Sequence, residues 1–513
     1  MWRKIKIMTN KMFLIVISLM VQFLASFFLY YLLMKQFPWF FIVSSMLHLC
    51  IVMWIVNRPM NPGYQITWII LVLTLPIFGV FMYLFYGRRQ ARIRIAKEMK
   101  ELNQDMLKKL NITNKPSHTL QELKSIDSHR YRQAFYIQNC SSFPIYKNSE
   151  CCYYSPGDEF YPMILQELTK AKHSIYIEFF TIEISIFWDQ VLKILEQKVS
   201  EGIDVRVIYD DIGSLLTLPK HYNKTLQAKG ISCAVFNPYK PIITTFTNNR
   251  DHQKIIVIDG ESAITGGFNL ADEYINLKKK SGFWKDSALL LKGEAAQSFL
   301  AMFLSTWESI HNSINKNNIA QDLKSSHLPL TNGYVQPFRD TPLDNECASQ
   351  AILLSMIYNA VNYLYITTPY LMIDHEIITA LCNAAKSGVD VRILTPHIPD
   401  RKLVHMITKS YYSILISNGV KIYEFTPGFI HSKSVVADDA IAMVGTINLD
   451  YRSLYLHFEC GVVMYGTNCI QDILSDFKQT QKISEVISLN SIANRTWYEK
   501  LIASFFKIFA PLF

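Results

Sequence analysis

One long pattern occurs twice in this chain, and any fold it adopts must accommodate both copies. The first is His252, Lys254, Asp259, Gly266, Gly267 and Asn269; the second is His431, Lys433, Asp438, Gly445, Thr446 and Asn448. Both read H-x-K-x4-D-x6-G-(G/T)-x-N, so the spacings from the histidine are identical. Each copy runs through a β-like apolar stretch, residues 255–258 and 434–437. A single H-x-K carries no information. Two registered copies exclude most accidental readings, including a pair of unrelated core histidines on amphipathic strands.

The repeat is longer than the motif. Residues 173–179 (HSIYIEF) parallel 362–368 (NYLYITT), and 201–207 (EGIDVRV) parallel 387–393 (SGVDVRI). Gly230-Ile231-Ser232 parallels Gly419-Val420-Lys421. Each half reads strand, helix, Gly turn, strand, helix, strand, then the motif. Alternating strands and helices predict an α/β layered fold, here two pseudo-repeated halves forming one shared active site.

The residue types suggest phosphate chemistry. On a strand, positions i and i+2 share a face, so His252 projects with Lys254 and His431 with Lys433. Two facing units gather two histidines, two lysines and two asparagines around one phosphorus. One histidine attacks while the other protonates the leaving oxygen. Lys254, Lys433, Asn269 and Asn448, with Gly267 and Thr446 in the turns, are expected to bind the phosphate oxygens. The protein then supplies the cations itself, and no metal or cofactor is expected. Past each motif an acid heads an apolar strand: Asp286 after Trp284-Lys285, and Glu459 after His457-Phe458. Such a carboxylate orients a histidine and stabilises its imidazolium. A solvated acid at a strand end is the alternative.

The doubled H-x-K-x4-D pattern resembles the phospholipase D superfamily over nearly all of residues 130–490. Gly267-Phe268-Asn269 with Asp272-Glu273-Tyr274, and Leu449-Asp450 with Arg452-Ser453, resemble its cardiolipin synthases more than its nucleases. The resemblance implies transfer of a phosphatidyl group from one phosphatidylglycerol to another, through a phosphohistidine, releasing glycerol. It counts Asp259 and Asp438 with the catalytic set, although tying the turn after the motif is an open alternative for both. By analogy His252 is the nucleophile and His431 the acid. A hydrolase using water, another phosphatidyltransferase, a membrane-tethered nuclease and an inactive scaffold are the competing readings. Intact motifs disfavour the last.

Charge separates the chain into two parts. Residues 1–100 carry twelve Lys and Arg against one acid, whereas the remainder carries 39 bases and 41 acids. A near-neutral body argues against nucleic acid as partner. Three charge-free apolar runs, 12–34, 37–56 and 65–87, are each long enough to span a bilayer as a helix. The third resembles the N-terminal membrane hairpin of bacterial cardiolipin synthases. The expectation is a multi-pass protein of the cell membrane, working on phosphatidylglycerol and other membrane lipids. The basic stretch 88–100 favours a body on the cytoplasmic side. The expected organisation is a membrane segment at 1–95 with two to three transmembrane helices, a linker at 96–130, halves at 131–330 and 331–490, and an amphipathic tail at 491–513 suited to a membrane interface. The nine cysteines are odd in number and lack a C-x-x-C pattern, which suits a reducing compartment.

Overall fold

The computed structural model describes residues 24, 27–28, 30–87, 101–110, 112, 117–238, 249–311, 331–344, 346–493 and 496–512. The chain divides into two compact units: Met1–Ala91 with Ile242–Phe246 and Leu512, and the rest.

In the first unit, helices Pro38–Val56, Pro62–Thr74 and Pro76–Met82 each begin on a proline, which has no N–H to leave unpaired in the first turn. Asn61 caps the second by accepting from the Gly63 amide at 2.9 Å. Tyr83 is buried between the rings of Trp54 and Trp68, at 5.7 and 5.5 Å. Among the described residues no helix is long and apolar enough to cross a membrane, so the expected spans at 37–56 and 65–87 are not shown. The 65–87 run is broken at Leu75, where φ is −118° and Pro76 brings no amide to continue the first helix. The 37–56 run forms a 19-residue helix with Ser44 and His48 paired mid-length at 3.4 Å. Most of run 12–34, all of the basic stretch 88–100, and most of the crossing between the halves lie outside the described residues.

The second unit is built on two sheets. Its first half contributes β1 (Ser149–Tyr154), β2 (Ser174–Phe179), β3 (Asp204–Asp210), β4 (Ser232–Phe236), β5 (Lys254–Ile258), β6 (Ser262–Gly266), the short β7 (Phe283–Lys285) and β8 (Ala288–Gly293). Its second half contributes β9 (Tyr334–Asp340), β10 (Tyr363–Thr367), β11 (Leu371–Met372), β12 (Asp390–Pro396), β13 (Lys421–Phe425), β14 (Gly428–Ile430), β15 (Ser434–Ala437), β16 (Ile441–Gly445), β17 (Leu449–Asp450), β18 (Glu459–Tyr465) and β19 (Ser484–Val486). The sheet orders are β1-β8-β6-β5-β2-β3-β4 and β19-β13-β12-β10-β15-β16-β18-β9. Without edge strands β1, β9 and β19 the two orders are the same, as the sequence repeat requires.

The central strands are buried on both faces and read as continuous apolar runs. Ile175, Ile177 and Phe179 of β2 join the core that Phe187, Trp188, Val191 and Leu195 fill from helix Ile186–Ser200. Ser185 caps that helix by accepting from the Trp188 amide at 3.3 Å. On the opposite face Tyr176 stacks on Phe303 of helix Ala296–His311 at 4.9 Å. The alternation of β2 thus decides which helix covers which face.

The motif aspartates sit in the hairpin turns after β5 and β15. Asp259 and Gly260 have φ of 53° and 66°, and Asp438 and Asp439 have 53° and 55°. This left-handed pair is the tight hairpin geometry that Asp-Gly favours. The Asp259 carboxylate accepts from the amides of Lys172, His173 and Ser174 at 2.7–2.9 Å, which positions the start of β2. Asp438 does the same for Val361, Asn362 and Tyr363 before β10.

Two short pairings stitch the halves together. β14 runs parallel to β7 with Ile430 opposite Lys285, and Asp251 bridges Phe458. A helix next to the expected linker also joins the second half. Helix Ser128–Ser141, placed by sequence across the start of the first half, docks on the second: Gln133 donates to the Ile352 carbonyl at 3.1 Å and Gln336 to that of Ala134 at 3.0 Å. The tail forms helix Trp497–Ile508 with a Thr496–Glu499 capping box and buries Ala503 while exposing Trp497, Leu501 and Phe505.

Candidate active site

The stitching fixes which acid meets which histidine. The His252 amide donates to the Phe458 carbonyl at 2.9 Å, beside Glu459. The His431 amide donates to Lys285 at 2.7 Å, beside Asp286. Each histidine therefore pairs with the acid of the opposite half. His252 Nδ1 lies 2.9 and 3.0 Å from the two Glu459 oxygens, and His431 Nδ1 lies 2.6 Å from Asp286 Oδ2. Both carboxylates are fully buried. Holding Nδ1 leaves Nε2 of each ring for chemistry.

The lysines follow from strand alternation. Lys254 opens β5 and donates to the carbonyl of His252 at 2.7 Å; Lys433 donates likewise to that of His431. Asn269 accepts from the Thr181 amide at 3.2 Å and donates to Tyr274 Oη at 2.6 Å. The buried side-chain oxygen of Asn448 has no hydrogen-bond partner among the described residues.

The structure places four of the expected site residues in other surroundings. Asp259 and Asp438, counted with the catalytic residues, sit at the far ends of β5 and β15 from the histidines and hold the hairpin turns. Gly267 packs against the acid instead: a Cβ there would come within 2.2 Å of Asp286 Oδ1 and 2.8 Å of the His431 carbonyl. Its absence lets the shorter acid close on His431. Thr446, at the same motif position, donates its hydroxyl to Glu459 Oε2, and Ser453 donates to Oε1 at 2.5 Å. The longer acid is thus clamped by two hydroxyls in the half where a side chain fits.

Sequence reasoning missed four neighbours. The Phe180 ring lies 5.1 Å from that of His252, and Tyr274 lies 5.4 Å from His431. Ser453 was visible only as part of a local match. His457 lies 5.5 Å from His252, with Nδ1 3.8 Å from Glu459 Oε1. Ligand atoms of His252, His457 and Glu459 fall within 4.8 Å of one another, a spacing open to a metal ion. Lys254 and Lys433 stand beside them, however, and their charge opposes a dication and favours an anion.

Burial and the charges of Lys254, Lys433, His431 and Arg401 hold His252 well below its usual range. Burial and Lys433 lower His431 to about 4, against the pull of Asp286. Burial lowers Lys254 to about 8 and, with help from Lys254, Lys433 to about 7. The free enzyme at neutral pH thus has neutral imidazoles and ammonium groups close to losing a proton. A bound phosphate anion favours the charged form of all four. Since kcat/KM reports the free enzyme, it should fall above about pH 7 as Lys433 and then Lys254 deprotonate. In Lys433→Arg the guanidinium stays charged, so the surviving activity should decline only near pH 8, with Lys254. A decline unchanged from wild type would show that Lys433 does not set it.

Two half-sites, each giving a histidine and lysine to one pocket and an acid to its twin's histidine, define a two-histidine enzyme acting on phosphodiesters. The chain matches the family described as "Cardiolipin synthase, PLD-like domain" at residues 164–307 and 353–481, and "Phospholipase_D-nuclease N-terminal" at 49–88. A Streptococcus mutans protein described as uncharacterized is 42% identical over 90% of this chain and 99% of its own. A cardiolipin synthase of Alkalihalophilus pseudofirmus is 32% identical over 91% and 92%, and cardiolipin synthase 2 of Bacillus anthracis is 32% identical over 92% and 90%. The crystal structure of a Haemophilus influenzae phosphatidylserine synthase superposes with a TM-score of 0.54 at 14% identity, covering 74% of this chain and 98% of that one. The chain belongs to the PLD-like cardiolipin synthase family.

Proposed function

We propose that the protein is a cardiolipin synthase that moves a phosphatidyl group from one phosphatidylglycerol to another. The observation that carries this is the pair of buried, crossed histidine–carboxylate dyads with two lysines between them. His431 takes up a proton when the phosphate anion binds; Nε2 of neutral His252 then attacks phosphorus, and His431 delivers its Nε2 proton to the departing glycerol oxygen. His431 then takes the proton from the primary hydroxyl of the second lipid, whose oxygen displaces His252. The assignment of His252 rather than His431 as nucleophile rests on the family resemblance. Lys254, Lys433, Asn269 and Asn448 stabilise charge on the non-bridging oxygens. The N-terminal helices, which expose Trp39, Met46, Leu49 and Met53, associate the enzyme with the bilayer that holds its substrate.

The test is product analysis. Chelator-treated full-length protein mixed with phosphatidylglycerol vesicles should yield cardiolipin and glycerol in equal amounts, with little phosphatidic acid. A held acceptor reacts as if in one molecule, and this favours lipid over water. Added glycerol should drive the reaction backward. Phosphatidic acid as main product at every lipid density would replace the synthase by a hydrolase. A strict need for added divalent ion would remove the lysines from their role as the sole phosphate-binding cations.

A further inference from the structure

The two histidines lie just past the C-terminal ends of the parallel strands: Lys254 pairs with Phe179, the last residue of β2, and Ser434 with Thr367, the last of β10. The loops leaving those strand ends carry large apolar side chains that point to water. Ile184 and Ile186 follow β2, Leu215 and Leu216 follow β3, Leu277 follows the first motif and Ile398 follows β12; all are exposed, Leu216 to 77%. Single exposed leucines are ordinary. These share one end of the fold, and the loops are tied to each other. Thr217 donates to the Ile182 carbonyl at 2.6 Å, Lys278 pairs with Glu183 at 2.7 Å, and Ser281 donates to the Pro399 carbonyl at 3.5 Å across the halves.

Bases interleave with them. Leu277 runs directly into Lys278, Lys279 and Lys280, all exposed, and Ile398 is followed by exposed Arg401 and Lys402. Lys280 reaches Glu273 at 3.8 Å and Arg401 reaches Asp400 at 3.9 Å, while Lys279 and Lys402 add further positive charge. Apolar side chains at loop tips with lysines beside them fit the boundary between acyl chains and anionic headgroups.

We propose that this rim is the surface that seats the active site on an anionic bilayer. The leucines and isoleucines enter the acyl boundary and the lysines meet lipid phosphates, so a headgroup reaches His252 and His431 without leaving the membrane. The inference rests on the phosphatidyl-transfer reading and adds where the lipid enters. It is tested on full-length protein with two substrates: phosphatidylglycerol diluted into phosphatidylcholine vesicles, and a short-chain phosphatidylglycerol kept below its micelle concentration. Leu215→Ser with Leu216→Ser should raise the apparent KM on vesicles by about tenfold or more, since two exposed leucines lose their apolar burial. Turnover of the monomeric lipid should stay within about twofold, because only vesicle docking draws on that burial. Lys279→Glu should act in the same direction, with an effect that shrinks as salt rises. Unchanged vesicle kinetics in both variants, or equal losses on both substrates, would overturn the rim. Wild-type protein that turns over neither lipid would overturn the underlying reading as well.

Discussion

His252→Ala and His431→Ala should each lower turnover of phosphatidylglycerol by about 10⁴-fold or more, because each removes a group used in both halves of the reaction. The double variant should be little worse than either single one, since residues that act as a unit lose their effect together. The two changes separate with a substrate whose leaving group needs no proton, such as phosphatidyl-p-nitrophenol. If His252 is the nucleophile, His431→Ala should release one equivalent of nitrophenol per enzyme and then stall, holding the phosphatidyl group on the protein. His252→Ala should show no burst. The opposite pattern would exchange the two roles, and near-normal turnover in either variant would sink the shared site.

The second large effect belongs to the crossed acids. Glu459→Gln and Asp286→Asn keep size but can turn an N–H toward Nδ1, which selects the wrong tautomer, and carry no charge to balance an imidazolium. A buried carboxylate in this role is worth about 10⁴ in turnover. Because Glu459 serves His252 and Asp286 serves His431, the nitrophenyl substrate should sort them the same way: a burst survives in Asp286→Asn and is lost in Glu459→Gln. Paired losses within each half, Asp286 behaving like His252, would contradict the crossed geometry. Thermal unfolding should change little in either variant, which distinguishes lost orientation from lost folding.

Much of the site was legible because its residues are tied to strand periodicity. His252 and Lys254 are two positions apart, so their common face needed no coordinates. The role of Asp259 was legible only as an alternative to catalysis. Its partners are the amides of residues 172–174, 85 to 87 positions earlier in the chain and brought near by strand pairing. A carboxylate seven residues past a histidine looks catalytic in a string of letters, yet on a five-residue strand it sits at the other end. The surroundings of Gly267 and Thr446 were hidden for a related reason. They occupy one motif position, and what separates them is the length of the acid opposite, which comes from a different segment. The N-terminal runs were read from length and absence of charge, and neither reveals that the helix is interrupted at Leu75 and Pro76.

The sequence by itself determined that there are two equivalent halves, that each is alternating α/β, and that each presents a histidine with a lysine on one strand face. These are local properties, set by repeat, period-two alternation and turn chemistry. Only the tertiary structure decided that the acids cross. Two chain segments, Phe458-Glu459 and Lys285-Asp286, lay their carbonyls against the amides of His252 and His431, and this backbone pairing delivers each carboxylate to the other half's imidazole. Spacing within a half cannot encode a partner supplied by the other half, so the pairing that makes one active site from two copies exists only once the halves are packed together.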